Sequence, residues 1–221
     1  MEDNKNFDLN IIVIPLVDTN CYVLTHNNKA LLVDAGGAGD EIINFIKNHN
    51  LVLESILLTH GHYDHIEALD NIVDEFPKVY IYANINEKRV IEDMKLNLMG
   101  YNLKEETLKK INYIDEINLN ILDLNIKVLF TPGHTIGSTS YYISDLDILF
   151  SGDTLFLDSY GRCDLPTGDM KEIVKSVALK IMMLPDKTTV YPGHGDKTTI
   201  SYERKHSELM KDYVIDWALK K

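Results

Sequence analysis

The strongest constraint on this chain is a run of six residues, His60-Gly61-His62-Tyr63-Asp64-His65, which sets three imidazoles and a carboxylate within six positions. With eight histidines and 21 aspartates in 221 residues, such a run arises by chance in roughly one chain in a thousand. Neutral imidazole nitrogen and carboxylate oxygen are the donors that suit zinc, iron and manganese, and dense histidine is a poor way to fill an apolar core. In extended backbone, residues two apart project to the same side, so His60, His62 and Asp64 can face one cleft while His65 turns elsewhere. A tetrahedral ion takes three or four ligands; the run nearly completes one and leaves a donor that points to a second. The competing reading is a solvated polar loop with incidental histidines.

Around the run, strand and helix signals alternate. Tyr22–Thr25 and Ala30–Asp34 flank His26-Asn27-Asn28-Lys29, an Asn-bearing turn that predicts a hairpin. Ile42, Ile43, Phe45 and Ile46 predict a helix from Asp40 to about Asn48, and Ile66, Leu69, Ile72 and Val73 predict another that stops before Pro77. Further helices are expected through Val90, Ile91, Met94 and Leu98 to Gly100, over Met170–Leu184, and over Tyr202–Trp217. Strands are expected at Ile56–Thr59, Val79–Tyr82, within Ile121–Tyr142, and at Ile148–Ser151 and Thr189–Tyr191.

Several of these strands end in a polar cluster. Leu57-Leu58-Thr59 leads into His60, Val128–Thr131 into His134, Ile148–Ser151 into Asp153 and Val190-Tyr191 into His194. Strand ends hold functional groups rigidly in mixed α/β folds, so four of them can converge on one cleft. Thr131-Pro-Gly-His134-Thr, Phe150-Ser-Gly-Asp153-Thr and Tyr191-Pro-Gly-His194-Gly each set a donor beside glycine, where backbone can approach closely. Singly, Pro-Gly-His is more often a turn than a ligand. Jointly, His60, His62, Asp64, His65, His134, Asp153 and His194 make seven donors, a set that suits two ions sharing one bridging carboxylate. His26, His49 and His206 lie near polar turns or helix ends and are expected to be structural or exposed.

Bulk properties narrow the partners. The net charge of −12, from 34 acidic against 22 basic residues, opposes attraction to phosphate backbones, so no nucleic-acid partner is expected. The polar, acidic start MEDNKNFDLN lacks the basic and apolar regions of a secretory signal. The apolar stretches around Ile11–Val17 and Ile56–Leu58 are too short to span a bilayer, which together point to a cytoplasmic protein without a membrane partner. Cys21 and Cys163 lack zinc-like spacing and are expected to stay reduced, with Cys21 packed. No repeat or linker divides residues 1–221, and one domain is expected.

The order HxHxDH, then His, then Asp, then His closely resembles the metallo-beta-lactamase superfamily over nearly the whole chain. The resemblance implies an α/β fold, a four-layer αβ/βα sandwich with a binuclear site at the edge of two mixed sheets. It implies that His60, His62 and His134 hold the first metal, Asp64, His65 and His194 the second, and that Asp153 bridges them. The two divalent ions would be zinc first, with iron or manganese as alternatives. Phe150-Ser-Gly-Asp-Thr-Leu-Phe, Gly161-Arg162-Cys163-Asp164 and Tyr191-Pro-Gly-His-Gly look like glyoxalase II and its short relatives, which are hydroxyacylglutathione hydrolases. That implies a small-molecule thioester substrate attacked by a hydroxide between the metals, with Asp64 orienting it. Only 27 residues follow His194, so the helical C-terminal domain of the two-domain enzymes is not expected. Arg162 and Lys197, with Arg204 and Lys205 nearby, are candidates to meet an anionic substrate. A rival within the superfamily is a mononuclear-iron persulfide dioxygenase, whose iron would sit on His60, His134 and Asp153. A metal-binding protein without activity is the remaining class.

Overall fold

The computed structural model describes residues 7–15, 17–37, 39–100 and 102–220; the acidic N-terminal residues 1–6 lie outside them. The first half builds a six-stranded sheet in the spatial order β1 to β6: β1 (Phe7–Ile14), β2 (Thr19–His26), β3 (Lys29–Val33), β4 (Val52–Leu57), β5 (Tyr80–Asn84) and β6 (Ile111–Ile114). Strands β1, β2 and β3 pair antiparallel, and β3 to β6 run parallel. The second half repeats the plan with β7 (Asn118–Ile121), β8 (Leu124–Phe130), β9 (Thr139–Ile143), β10 (Ile148–Gly152), β11 (Thr189–Pro192) and β12 (Thr198–Thr199), in the order β12-β11-β10-β9-β8-β7. Here β10 and β11 are the parallel pair.

Between the strands run helices α1 (Gly39–Asn48), α2 (Tyr63–Ile66), α3 (Leu69–Glu75), α4 (Lys88–Glu92), α5 (Glu105–Leu108), α6 (Met170–Leu179), α7 (Ile200–His206) and α8 (Asp212–Leu219). The side-chain period of two explains the layering. In β3, Leu31 and Val33 face the second sheet and meet Tyr141, Ile143 and Phe150, whereas Ala30 and Leu32 turn outward to Ile42, Ile46, Leu69 and Ile72 of α1 and α3. In β9, Tyr141 and Ile143 point inward and Tyr142 outward, toward Val174 and Val177 of α6 and Ala218 of α8. The result is helix, sheet, sheet, helix: the expected four-layer sandwich. Strands buried on both faces read as continuous apolar runs. Phe150, 1% exposed between the sheets, belongs to the class whose truncation to alanine costs about 3–5 kcal/mol.

The hairpin forms with Asn27-Asn28 at its turn, His26 pairing Lys29 and Asn27 at φ +56°. Several helices are shorter than the periodicity predicts. The one expected through Leu98 ends at Glu92, because side chains take over the backbone bonds there: Asp93 Oδ1 accepts from Lys95 N, Asn97 Nδ2 donates to the Ile91 carbonyl, and Asn97 Oδ1 accepts from Met99 N. The Met170–Leu184 pattern splits into α6, capped by Asp169, and a 3₁₀ turn at Ile181–Met183. Tyr202–Trp217 divides into α7 and α8 at an extended Ser207. Strands β1 and β6, the two edges of the first sheet, were not expected from the sequence.

Candidate metal centre

All the strand ends singled out by sequence arrive at one edge of the sandwich. The loop after β4 carries His60 and His62, and α2 then turns Asp64 and His65 inward, so the run's donors come from an extended segment and a helical turn. From the second sheet, the loop after β8 brings His134, the end of β10 brings Asp153 and the end of β11 brings His194. Asp64, His65, His60, His62, His134 and Asp153 are buried, and His194 is half-buried.

Donor atoms gather in three overlapping groups, each within 4.8 Å: His60, His62 and His134; Asp64, His65 and His194; and His60, His65 and Asp153. Asp153 reaches toward both of the first two groups. Its Oδ2 lies 3.4 Å from His134 Nε2 and 3.5 Å from His194 Nε2, and its Oδ1 lies 3.5 Å from His65 Nε2. His26, His49 and His206 lie outside these groups, stacked on Phe7, Phe45 and Tyr202.

Outer partners fix which ring nitrogen of each histidine faces the cleft. His65 Nδ1 donates to Asp34 Oδ2 at 2.8 Å, His134 Nδ1 to the Arg162 carbonyl at 2.8 Å and His194 Nδ1 to the Val17 carbonyl at 3.0 Å. The Thr59 hydroxyl donates to Asp34 Oδ2 at 2.8 Å, so it can only accept from His60 Nδ1, 3.1 Å away. In all four rings Nδ1 therefore carries a proton, and Nε2 is the nitrogen turned to the cleft. Partners of this kind hold metal-binding histidines in tautomer and orientation. His62 differs: its Nδ1 faces His134 Nε2 at 2.9 Å.

These donors suit a metal. The Nε2 atoms of His60, His62 and His65 and Asp153 Oδ1 are buried without a hydrogen-bond partner. Such burial costs about 1–3 kcal/mol per group unless something coordinates them. A side chain at Gly193 would collide with this cluster, since its Cβ would lie 2.1 Å from Asp153 Oδ1 and 2.8 Å from His65 Cε1.

Electrostatically the two ends of the cluster are opposites. Burial, helped by the neighbouring imidazoles, holds His60 well below its ordinary range, and burial with His134 beside it pushes His62 down to about 3. Burial also works against protonated His65, but the carboxylates of Asp34, Asp64 and Asp153 outweigh it and raise the ring to about 9. His194 rises to about 11 against its burial, through its contacts with Asp153 and Asp64. Burial would raise both carboxyls; His65 and His194 outweigh it, lowering Asp64 and bringing Asp153 to about 2.

Two contributors escaped the sequence reading. Asp34, at the end of β3 with φ +60°, accepts from Thr59 N, Thr59 Oγ1 and His65 Nδ1. Thr19, at the start of β2, donates to Asp64 Oδ2 at 2.8 Å. The signal that could have found Asp34 is its place, an acid at a strand end directly before Ala35-Gly36-Gly37. Of the two substrate candidates, Arg162 lines the cleft with its guanidinium paired to Asp164 through Nε at 2.8 Å and an Nη at 2.7 Å. Lys197 is exposed and lies over the Tyr191 ring, apart from the residues lining the cleft. Cys21 is free and buried, its Sγ accepting from Gly36 N; burial pushes the thiol up to about 12. Cys163 is likewise free. Among the described residues, no helix is long and apolar enough to cross a membrane.

The model of the metallo-beta-lactamase superfamily matches residues 14–194. The probable metallo-hydrolase YqgX of Bacillus subtilis is 36% identical over 203 residues, covering 90% of this chain and 95% of its own. The hydroxyacylglutathione hydrolase GloC of Haemophilus influenzae is 30% identical over 209 residues, covering 91% and 98%. Among solved structures, that of the BLEG-1 B3 metallo-beta-lactamase superposes with a TM-score of 0.85 at 36% identity, covering 92% of this chain and all of that one. The chain belongs to the metallo-beta-lactamase superfamily.

Proposed function

We propose that this superfamily member is a binuclear thioesterase that hydrolyses a small-molecule acyl thioester of the hydroxyacylglutathione type. The observation that carries the reading is the pair of donor groups joined by Asp153, which reaches ligands of both. His60, His62 and His134 would hold one divalent ion and Asp64, His65 and His194 the other, with zinc the first candidate. Bound there, two such ions supply Lewis acidity, activating water near neutral pH and polarising a carbonyl.

The chain's own residues supply position. Thr19 and His194 pin Asp64 Oδ2, at 2.8 and 3.2 Å, so this carboxylate is fixed where it can orient an attacking water. A cavity of about 390 Å³ beside the cluster is walled by Val17, Leu98, Phe156, Tyr160 and Leu165, which take up apolar substrate surface and exclude water. A thiol leaves readily as its anion near neutral pH, so the reaction asks little of a general acid. The 30% identity to GloC supports the thioester class. The dioxygenase alternative would leave Asp64, His65 and His194 without an ion although they lie together.

Elemental analysis paired with hydrolysis assays on S-lactoylglutathione, a simple acyl thioester and a chromogenic β-lactam tests this reading. Two ions per chain with turnover of the thioesters is the expected result. One iron per chain with oxygen uptake on a persulfide would replace it with the dioxygenase, and turnover of the β-lactam alone would replace it with a lactamase. Loaded metal without any turnover would leave a binding protein.

A further inference from the structure

A buried carboxylate outside the donor set ties together the two loops that carry His60, His62 and His134. Glu87, in the 3₁₀ turn Ile85–Glu87 after β5, is 1% exposed. Its Oε1 accepts from Gly61 N at 2.8 Å, and its Oε2 accepts from Gly137 N at 2.7 Å and from Thr135 Oγ1 at 2.9 Å. Gly61 lies between His60 and His62, and Thr135 follows His134. One carboxylate thus bonds a loop of the first sheet and a loop of the second.

The surroundings are built for it. The Thr135 hydroxyl has one proton and gives it to Glu87, so its 2.7 Å contact with Ser138 Oγ must be a bond donated by Ser138. Ser138 Oγ in turn accepts from Thr135 N at 2.9 Å. Such a chain of hydroxyls running into an acceptor strengthens each of its bonds. Both glycines are required by proximity: a Cβ at Gly137 would lie 2.3 Å from Glu87 N, and one at Gly61 would lie 2.7 Å from Ile91 Cγ1 in α4. The glycine inside the histidine run, and the one that follows His134 by three positions, are the spaces through which this segment reaches both loops. Burial pushes the Glu87 carboxyl up to about 7 even against its three donors. An uncharged filler would avoid that cost, so the acid is there for its geometry of acceptance.

We propose that Glu87 is a positioning residue that sets the separation between the His60/His62 pair and His134, and thereby the affinity of the ion these three hold. Asp64, His65 and His194, with which it shares no hydrogen bond among the described residues, keep theirs. The inference rests on reading the two donor groups as two ion sites.

The test is a zinc titration of the full metal-free chain in competition with a chromophoric chelator. Glu87→Gln keeps the shape, but its amide NH₂ must face one of the three donors. It is expected to weaken one ion about 10- to 100-fold, the range for residues that support metal ligands, while the other ion binds as in wild type. Thr135→Val, which removes one donor and spares Gly61, weakens the same ion less. In a His194→Ala background Glu87→Gln weakens the remaining ion; in a His134→Ala background it leaves it alone. The melting temperature of the metal-free variants shows that they fold. Two ions bound as tightly as in wild type, or both weakened alike, would overturn the role of Glu87 while sparing the two-ion reading. A wild type that takes up no zinc would sink both.

Discussion

The two donor groups lie side by side yet solve the problem of crowded ligands in opposite ways. Around His60, His62 and His134 the donors are imidazoles with depressed proton affinity at His60 and His62, which are therefore unprotonated at neutral pH. Around Asp64, His65 and His194 the carboxylates raise the imidazoles to about 9 and about 11, so without metal this end holds protons. A cation entering the first group meets lone pairs, whereas one entering the second displaces protons. Asp153, in reach of both, is the one acid the two ends share.

Removing one ligand from each group is the largest perturbation of this contrast. His134→Ala and His194→Ala should each leave one ion per chain by elemental analysis, with thioester turnover down by orders of magnitude; Asp153→Ala should loosen both ions. If either histidine variant kept two ions and full turnover, the division between the groups would be wrong.

Smaller in effect, Asp34→Asn takes away the carboxylate that fixes the His65 ring. Metal affinity at the second group should fall about 10- to 100-fold, and that at the first, which Asp34 reaches only through Thr59 and His60, should fall less, read by the same chelator competition. This variant is the counterpart of Glu87→Gln, and the two should have their larger effects on different ions.

The metal-free chain should also show the contrast as a pH optimum of stability. His65 and His194 have folded-state values above the ordinary 6.5, so their contribution is complete below 6.5 and is lost as pH rises through about 9 and about 11. His60 and His62 have folded-state values below 6.5, so theirs is present above 6.5 and is lost as pH falls, for His62 toward about 3. Thermal melts of the metal-free chain should therefore peak near pH 6.5, where both contributions are complete, and decline on either side. A melting temperature that climbed steadily from pH 8 to pH 11 would contradict the proton-filled second group. The smallest effects belong to the histidines outside the cluster: His49→Ala and His206→Ala should leave metal content unchanged and stability within about 0.5 kcal/mol.

Much of the centre was legible because its donors are dense or sit in glycine turns at strand ends, patterns set by local chemistry. Asp34 and Glu87 were illegible as contributors because one acid at a strand end is ordinary in sequence; their roles come from contacts 25 to 50 positions away, with Thr59 and Gly137. Single strands could be read from runs such as Leu31-Leu32-Val33, which are buried on both faces, whereas the plan of two packed sheets came from the family resemblance. Edge strand β1 escaped because a half-exposed alternation is a weak signal beside the stronger apolar runs. The helix expected to reach Gly100 failed because periodicity cannot register the side-chain bonds of Asp93 and Asn97.

Every donor group draws on both sheets: His60 and His62 need His134, Asp64 and His65 need His194, and His60 and His65 need Asp153. An ion in any of these places is therefore a suture between the two halves of the chain, in a molecule whose two cysteines form no covalent staple. Cutting the backbone between β6 and β7 would leave each piece with an incomplete set, and metal would add to the apolar contacts that hold the pieces together. Metal supply then governs how firmly the halves stay joined, since each occupied site adds its own binding free energy to the folded state alone.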